Sequence, residues 1–228
     1  MAASTLSSIH HDLSASTTEQ IRTPAIGAEP TTLAAIYEEQ TNIAIWKRRV
    51  PAAITESLHA DDICKRDIKI SMTVSPQMAP ECVSDALATA THAPLVDDIA
   101  ELVEMFCLLF DLKRAGLRLA TLDSAMCPKF HVDRIPCRLV TTYWGAATQW
   151  LPHELVNHAK LGSGSNGCDD AESGLYRYPN SIRSLACGDV ALLKGAAWEG
   201  NEHAGLVHRS PAVQAGERRL LLTLDLAG

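Results

Sequence analysis

A chain of 228 residues, 46% hydrophobic and 21% charged, is long enough to bury a sizeable core as one domain and has an ordinary globular composition. Its net charge of −7 argues against a general nucleic-acid binder, whose surface is usually basic. The seven cysteines form no C-x-x-C pair, and no apolar secretory segment follows the start, which together predict free thiols in a reducing cytoplasmic setting.

Residues 1–30 are rich in Ser, Thr and Ala, with Pro24 and Pro30, and read as a disordered tail. A mixed helical support region is expected over 31–115, in which "TNIAIWKRR" fits helix or strand equally. "RDIKISMTV" places Ile68, Ile70, Met72 and Val74 on one side and predicts a half-buried strand; Pro80–Ala90 predicts a short helix. From Pro94 to about Ala115, Leu95, Ile99, Leu102, Val103, Phe106, Leu109 and Phe110 recur at helical spacing, with Gly116 as the stop. Asp97, Asp98, Glu101 and Glu104 make this apolar stretch a soluble helix rather than a membrane span.

After Gly116 the pattern changes to short strand-like runs, "LRLATLD", "RLVTTYW", "DVALLKG", "GLVHRS" and "RRLLLTLDL", separated by Gly, Pro, Asn and Asp. Residues 160–181 read as a polar loop, placed as a mobile lid over the mouth of a barrel. The expected fold is therefore α+β: an N-terminal helical segment, then a jelly roll over 116–228.

Within "CPKFHVDRIPCRLVTTYWG", His131 and Asp133 are two apart, and residues i and i+2 of a strand share a side. An imidazole and a carboxylate can thus reach one ion. The third ligand expected is His208 of "GLVHRSP", since two His and one carboxylate make the facial triad of non-haem iron sites. H-x-D alone is weak evidence, because it also occurs at His10-His11-Asp12; a polar surface pair is the plain alternative for His131 and Asp133, and a core histidine for His208. Cys127 and Cys137 flank the motif as possible extra ligands or redox sites, which would favour Zn over Fe; small buried hydrophobes are the plain reading. Tyr143 is a candidate for lining a cosubstrate pocket or for aromatic core.

Gly162-Ser-Gly164-Ser-Asn-Gly167 spells G-x-G-x-x-G but follows no strand and opens no helix, so a loop is expected. His153 and His158 are five apart, which turns them from each other on an ordinary helix face.

His131-Val-Asp133, then Gly188-Asp189 turning into an apolar strand, then His208, then Arg218-Arg219 resembles the iron(II)/2-oxoglutarate-dependent dioxygenases over residues 116–228. The resemblance implies a cupin-type double-stranded β-helix, Fe(II) and 2-oxoglutarate as cofactors, and an arginine that grips the distal carboxylate of this small-molecule cosubstrate. Only one of two adjacent strand residues points inward. Arg219 shares its side with Thr223, which resembles some members of that family, and Arg218 stays open. The blocks "HVDRIPCRLV" and "GLVHRSP" also resemble an uncharacterised bacterial family of unknown function. A non-catalytic metal-binding cupin in zinc or iron homeostasis is the alternative, and the substrate is not readable.

Overall fold

The structure is a computed structural model that describes residues 21–60, 66–88 and 92–227. Its elements in chain order are β1 (Ala25–Gly27), β2 (Ile43–Trp46), α1 (Ala52–Ala60), β3 (Lys69–Val74), α2 (Ala79–Leu87), α3 (Ala93–Leu109), β4 (Ala115–Leu122), β5 (Cys137–Trp144), β6 (Gln149–Leu151), β7 (Arg183–Ser184), β8 (Val190–Lys194), β9 (Val207–Arg209) and β10 (Arg219–Leu226). A 3-10 helix, Pro30–Tyr37, lies between β1 and β2.

Seven strands form one sheet in the order β1-β2-β8-β5-β10-β4-β3, and three form another in the order β7-β6-β9. All pairings are antiparallel except β1 with β2. Strand alternation assigns the two sides of the large sheet. Leu220, Leu222 and Leu224 of β10 pack with Ile99, Leu102, Val103 and Phe106 of α3. Arg219, Leu221, Thr223 and Asp225 must then point the other way. On that other side Val140, Ala191 and Leu193 meet Trp150 and Leu206, so a second core joins the large sheet to the small one. The molecule is helix on sheet on sheet, a mixed α and β architecture.

The strand-like runs after Gly116 form β4, β5, β8, β9 and β10. The segment before residue 116 is less separate than the sequence suggests, because β1, β2 and β3 all join the large sheet. The tail expectation fails from residue 21 onward: Ala25–Gly27 pairs with β2, and Arg22 is buried, donating from Nε to Asn201 Oδ1 at 3.0 Å and from Nη2 to the Gly200 carbonyl at 3.2 Å. Residues 1–20, with His10 and His11, lie outside the described residues.

α3 ends at Leu109 rather than near Ala115. Asp111 takes a left-handed conformation (φ 51°), and the Leu112 amide returns to the Cys107 carbonyl. Gly116 instead sits inside β4. Asp98 is not a solvated acid either. It is buried, bound by both terminal nitrogens of Arg48 at 2.5 and 2.9 Å and by the Tyr143 hydroxyl at 2.6 Å. No helix among the described residues is long and apolar enough to cross a membrane.

The 160–181 segment is not a loose lid. Leu175 and Tyr176 pack on Phe130, Leu151 and Val207, and Asp170 accepts the Phe130 amide at 2.8 Å and an Arg209 N–H at 3.4 Å. Gly162–Ser165 is one turn of 3-10 helix in this loop, with no dinucleotide context. His153 and His158 occupy separate 3-10 turns rather than one helix, and their rings approach to 4.4 Å.

Candidate metal centre

His131 and His208 face each other across an antiparallel bridge, each amide donating to the other's carbonyl at 3.0 Å. β9 supplies His208, and the irregular strand leading into β5 supplies His131 and Asp133. The ring centroids are 4.6 Å apart. Asp133 spans the gap: Oδ1 is 3.6 Å from His131 Nε2, and Oδ2 is 3.6 Å from His208 Nε2. The three ligand atoms lie within 4.8 Å of one another. Ligands about 2.1 Å from one ion and at right angles would be about 3.0 Å apart, so modest inward movement closes the set on a metal.

Each ring is oriented by its other nitrogen. His131 Nδ1 lies 3.0 Å from the Lys129 carbonyl, and His208 Nδ1 lies 3.1 Å from the Leu206 carbonyl. With Nδ1–H donated to a carbonyl, Nε2 carries the lone pair that a metal takes. Burial, opposed by Asp133, pulls the His208 pKa down to about 4, so this imidazole is neutral at pH 7. Contact with Asp133 raises the His131 pKa, with burial opposing. For Asp133, burial pushes the pKa up, but His131, His208 and Arg138 together hold it at about 2, so the ligand is ionised.

Two glycines bring the Asp133 segment close to the end of β8. A Cβ on Gly195 would lie 2.0 Å from the Ile135 carbonyl oxygen and 2.7 Å from that of Asp133. A Cβ on Gly205 would lie 2.3 Å from Val132 Cγ1. The Ala196 amide donates to the Asp133 carbonyl at 2.9 Å through this close approach.

The two histidines open onto a cavity of about 130 Å³ that also takes in Thr148, Leu221 and Thr223. Beyond Thr148 lies Arg219, 1% exposed. Among the described residues, its Nη2 makes only long contacts, 3.4 Å to Thr142 Oγ1 and 3.5 Å to Thr148 Oγ1, while Nε and Nη1 are buried with no hydrogen-bond partner. Burial lowers its pKa to about 10, which still leaves it charged at neutral pH. A buried guanidinium without a carboxylate is costly. Arg218 points the other way, with Nη1 3.3 Å from the Arg66 carbonyl and 3.4 Å from Asp67 Oδ1.

The remaining candidates do not join the site. Tyr143 lies on the helix side of β5, where its hydroxyl is bound to Asp98, so it is core and not cosubstrate pocket. Cys137 is on the same helix side, and burial raises its thiol pKa well above the usual range. It cannot reach an ion on the opposite side. Cys127 borders the cavity as an exposed thiol and is not one of the three converging ligands. A larger open cleft, about 950 Å³, is bounded by Tyr143, Trp144 and Arg218 and touches none of the three ligands. Among the described residues, it is at the smaller cavity that three candidate ligand atoms converge.

Sequence reading missed Arg138. Its Nη1 donates to Asp133 Oδ2 at 2.7 Å, and Nε and Nη2 donate to the two oxygens of Asp225 at 2.6 and 3.0 Å. A polar side on "RLLLTLDL", with Arg219, Thr223 and Asp225 alternating with leucines, was the available signal for Asp225.

The fold is similar to that of a dioxygenase for auxin oxidation from rice, with a TM-score of 0.50 at 13% identity, covering 91% of this chain and 83% of that one. The counterpart from Arabidopsis thaliana, solved with 2-oxoglutarate, aligns with a TM-score of 0.48 at 9% identity, covering 91% and 93%. No curated protein sequence matches the chain. The family described as a protein of unknown function, DUF1826, matches residues 27–225, and the chain belongs to that family.

Proposed function

We propose that this chain is an Fe(II)/2-oxoglutarate-dependent oxygenase with a double-stranded β-helix core, in which His131, Asp133 and His208 hold the metal and Arg219 holds the cosubstrate. One observation carries the reading. Arg219 is a fully buried cation, two of whose nitrogens have no partner among the described residues, close to the cavity onto which His131 and His208 open. A dicarboxylate that chelates the ion at one end supplies the missing counter-charge at the other, and a guanidinium fork grips a carboxylate with two parallel hydrogen bonds. The likeness in fold to the rice dioxygenase is consistent with this reading.

The donor set fits the metal. Two imidazoles and one carboxylate suit Fe(II), and three ligands on one side would leave positions for the cosubstrate and O₂. When bound, Fe(II) would couple decarboxylation of 2-oxoglutarate to insertion of one oxygen atom of O₂ into a substrate C–H bond, giving succinate, CO₂ and a hydroxylated product. The protein's own part is positional. Lys129 and Leu206 carbonyls fix the two imidazole tautomers, Arg138 holds Asp133 Oδ2, and Thr142 and Thr148 lie beside the Arg219 guanidinium.

The alternative, a non-catalytic metal-binding cupin in zinc or iron homeostasis with Cys127 or Cys137 contributing, is less favoured, since Cys137 lies on the helix side of β5 and Cys127 at the cavity rim. The six described cysteines are all free thiols. The test is stoichiometric: metal-stripped protein given Fe(II), O₂ and 2-oxoglutarate should form succinate, and His208→Ala should not. Succinate formation that persists at the wild-type rate in His208→Ala would rule out the triad.

A further inference from the structure

Four arginines bear on the metal cavity, and three have assigned work. Arg138 is engaged by Asp133 and Asp225, Arg209 by Gln149 and Asp170, and Arg219 faces the position given above to the cosubstrate. The fourth, Arg118, lines the cavity from β4, where it is in register with Thr223 of β10 and therefore points to the same side. It is exposed at the cavity mouth, and its side chain makes no hydrogen bond or ion pair among the described residues. No Asp or Glu lines the cavity, although the chain as a whole carries a net charge of −7. The carboxylates nearby, Asp133, Asp170 and Asp225, are each already held by an arginine.

Arg118 and Arg219 are separated along the sheet. Arg219 pairs with Leu122, at the far end of β4 from Gly116, whereas Arg118 is four residues nearer that end. At about 3.4 Å per residue the two backbone positions differ by roughly 14 Å along the strands. One small dicarboxylate that chelates the metal and reaches Arg219 leaves Arg118 without a counter-ion. The cavity wall mixes the apolar side chains of Ala120, Met126, Val140 and Leu221 with the already paired Arg138 and Arg209.

We propose that Arg118 is the substrate-anchoring residue and that the substrate is a small organic anion with an apolar body, its charged group on Arg118 and its reactive carbon over the metal. This rests on the oxygenase reading above. A carboxylate and a phosphate monoester both match the guanidinium fork. Ala120, Met126, Val140 and Leu221 would accept a hydrocarbon frame behind a single anionic group.

The test uses the full chain with Fe(II) and 2-oxoglutarate under anaerobic conditions, in two stages. The visible band of the Fe(II)–2-oxoglutarate chelate is recorded first for wild type and R118Q. A wild type without the band would overturn the oxygenase reading and this proposal with it. With the band present in both, paired probes are titrated and binding is followed by the change in that band and by calorimetry: hexanoate, benzoate and phenylacetate against their amides, and hexyl and phenyl phosphate against the alcohols. We expect at least one anion to bind wild type at least about tenfold more tightly than its neutral partner, since a charge-assisted pair is worth about that much. In R118Q the preference should disappear. Preference for acids alone identifies a carboxylate substrate, and preference for phosphates alone a phosphate monoester. Acids and amides binding alike, an anion preference that survives in R118Q, or no anion preference at all would overturn the proposal.

Discussion

Arg138 holds Asp133 by a single hydrogen bond, Nη1 to Oδ2 at 2.7 Å, while its other two donors are fixed on Asp225. The arginine therefore behaves as a bracket between β10 and Asp133. Its charge is already matched by Asp225, so its main effect on a metal is to fix the carboxylate orientation. Arg138→Lys keeps the charge and loses the planar fork that bridges both acids. Fe(II) or Co(II) affinity, measured by competition with a chelator, should fall roughly 10- to 100-fold, as when the hydrogen-bond partner of a metal ligand is lost. Unchanged affinity would show that Asp133 needs no bracket.

Gly195 should not tolerate a side chain. Its Cβ would lie 2.0 Å from the Ile135 carbonyl oxygen, a backbone atom that cannot swing aside. Gly195→Ala should cost about 1–3 kcal/mol in denaturant unfolding and lower metal affinity as well, because the displaced backbone carries Asp133. Gly116→Ala is the control, since its Cβ would meet nothing nearer than 3.6 Å. Equal stability of the two variants would contradict the close packing of this segment.

Tyr143 tests the assignment of sides on β5. Tyr143→Phe should lower stability by about 1–3 kcal/mol, because the buried Asp98 carboxylate loses a 2.6 Å hydrogen bond. Its 2-oxoglutarate affinity should stay within about twofold of wild type. Normal stability with a large loss of cosubstrate binding would place the residue in the cavity after all.

Arg219 should cost the ligand-free protein stability. An unpartnered buried guanidinium replaced by an apolar chain of similar length is expected to be neutral or stabilising by about 1–4 kcal/mol. Arg219→Met should therefore unfold at equal or higher denaturant concentration than wild type without metal or cosubstrate. A clear loss of stability would mean that Arg219 serves the fold and not a ligand.

The convergence of the candidate ligands was more legible in the sequence than the layout. His131 and Asp133 two apart on extended chain, and Arg219 on the side of Leu221 and Thr223, follow from strand periodicity alone. β5 defeats the same argument, because Leu139, Val140, Thr141, Thr142 and Tyr143 are all buried and both sides look apolar. Which side Tyr143 and Cys137 take is decided only by neighbouring strands. The end of α3 was misplaced because Asp111, not a glycine, takes the left-handed turn. β1 spans three residues and carries no periodicity, so its pairing with β2 could not be read. The Arg138–Asp225 pair joins residues 87 apart and has no local signature.

The central claim is that the Arg219 cation and the three-residue metal site serve one dicarboxylate. The most direct measurement is anaerobic titration of the Fe(II)-loaded protein with 2-oxoglutarate, followed by the weak visible absorption of the chelate. Wild type and Arg218→Met should give the band with similar affinity. Arg219→Met should retain one Fe(II) yet lose two to three orders of magnitude in 2-oxoglutarate affinity, the effect of leaving a buried carboxylate unpaired at about 3–5 kcal/mol. A wild-type protein that binds Fe(II) and shows no 2-oxoglutarate band, or an Arg219→Met variant that titrates like wild type, would contradict the account.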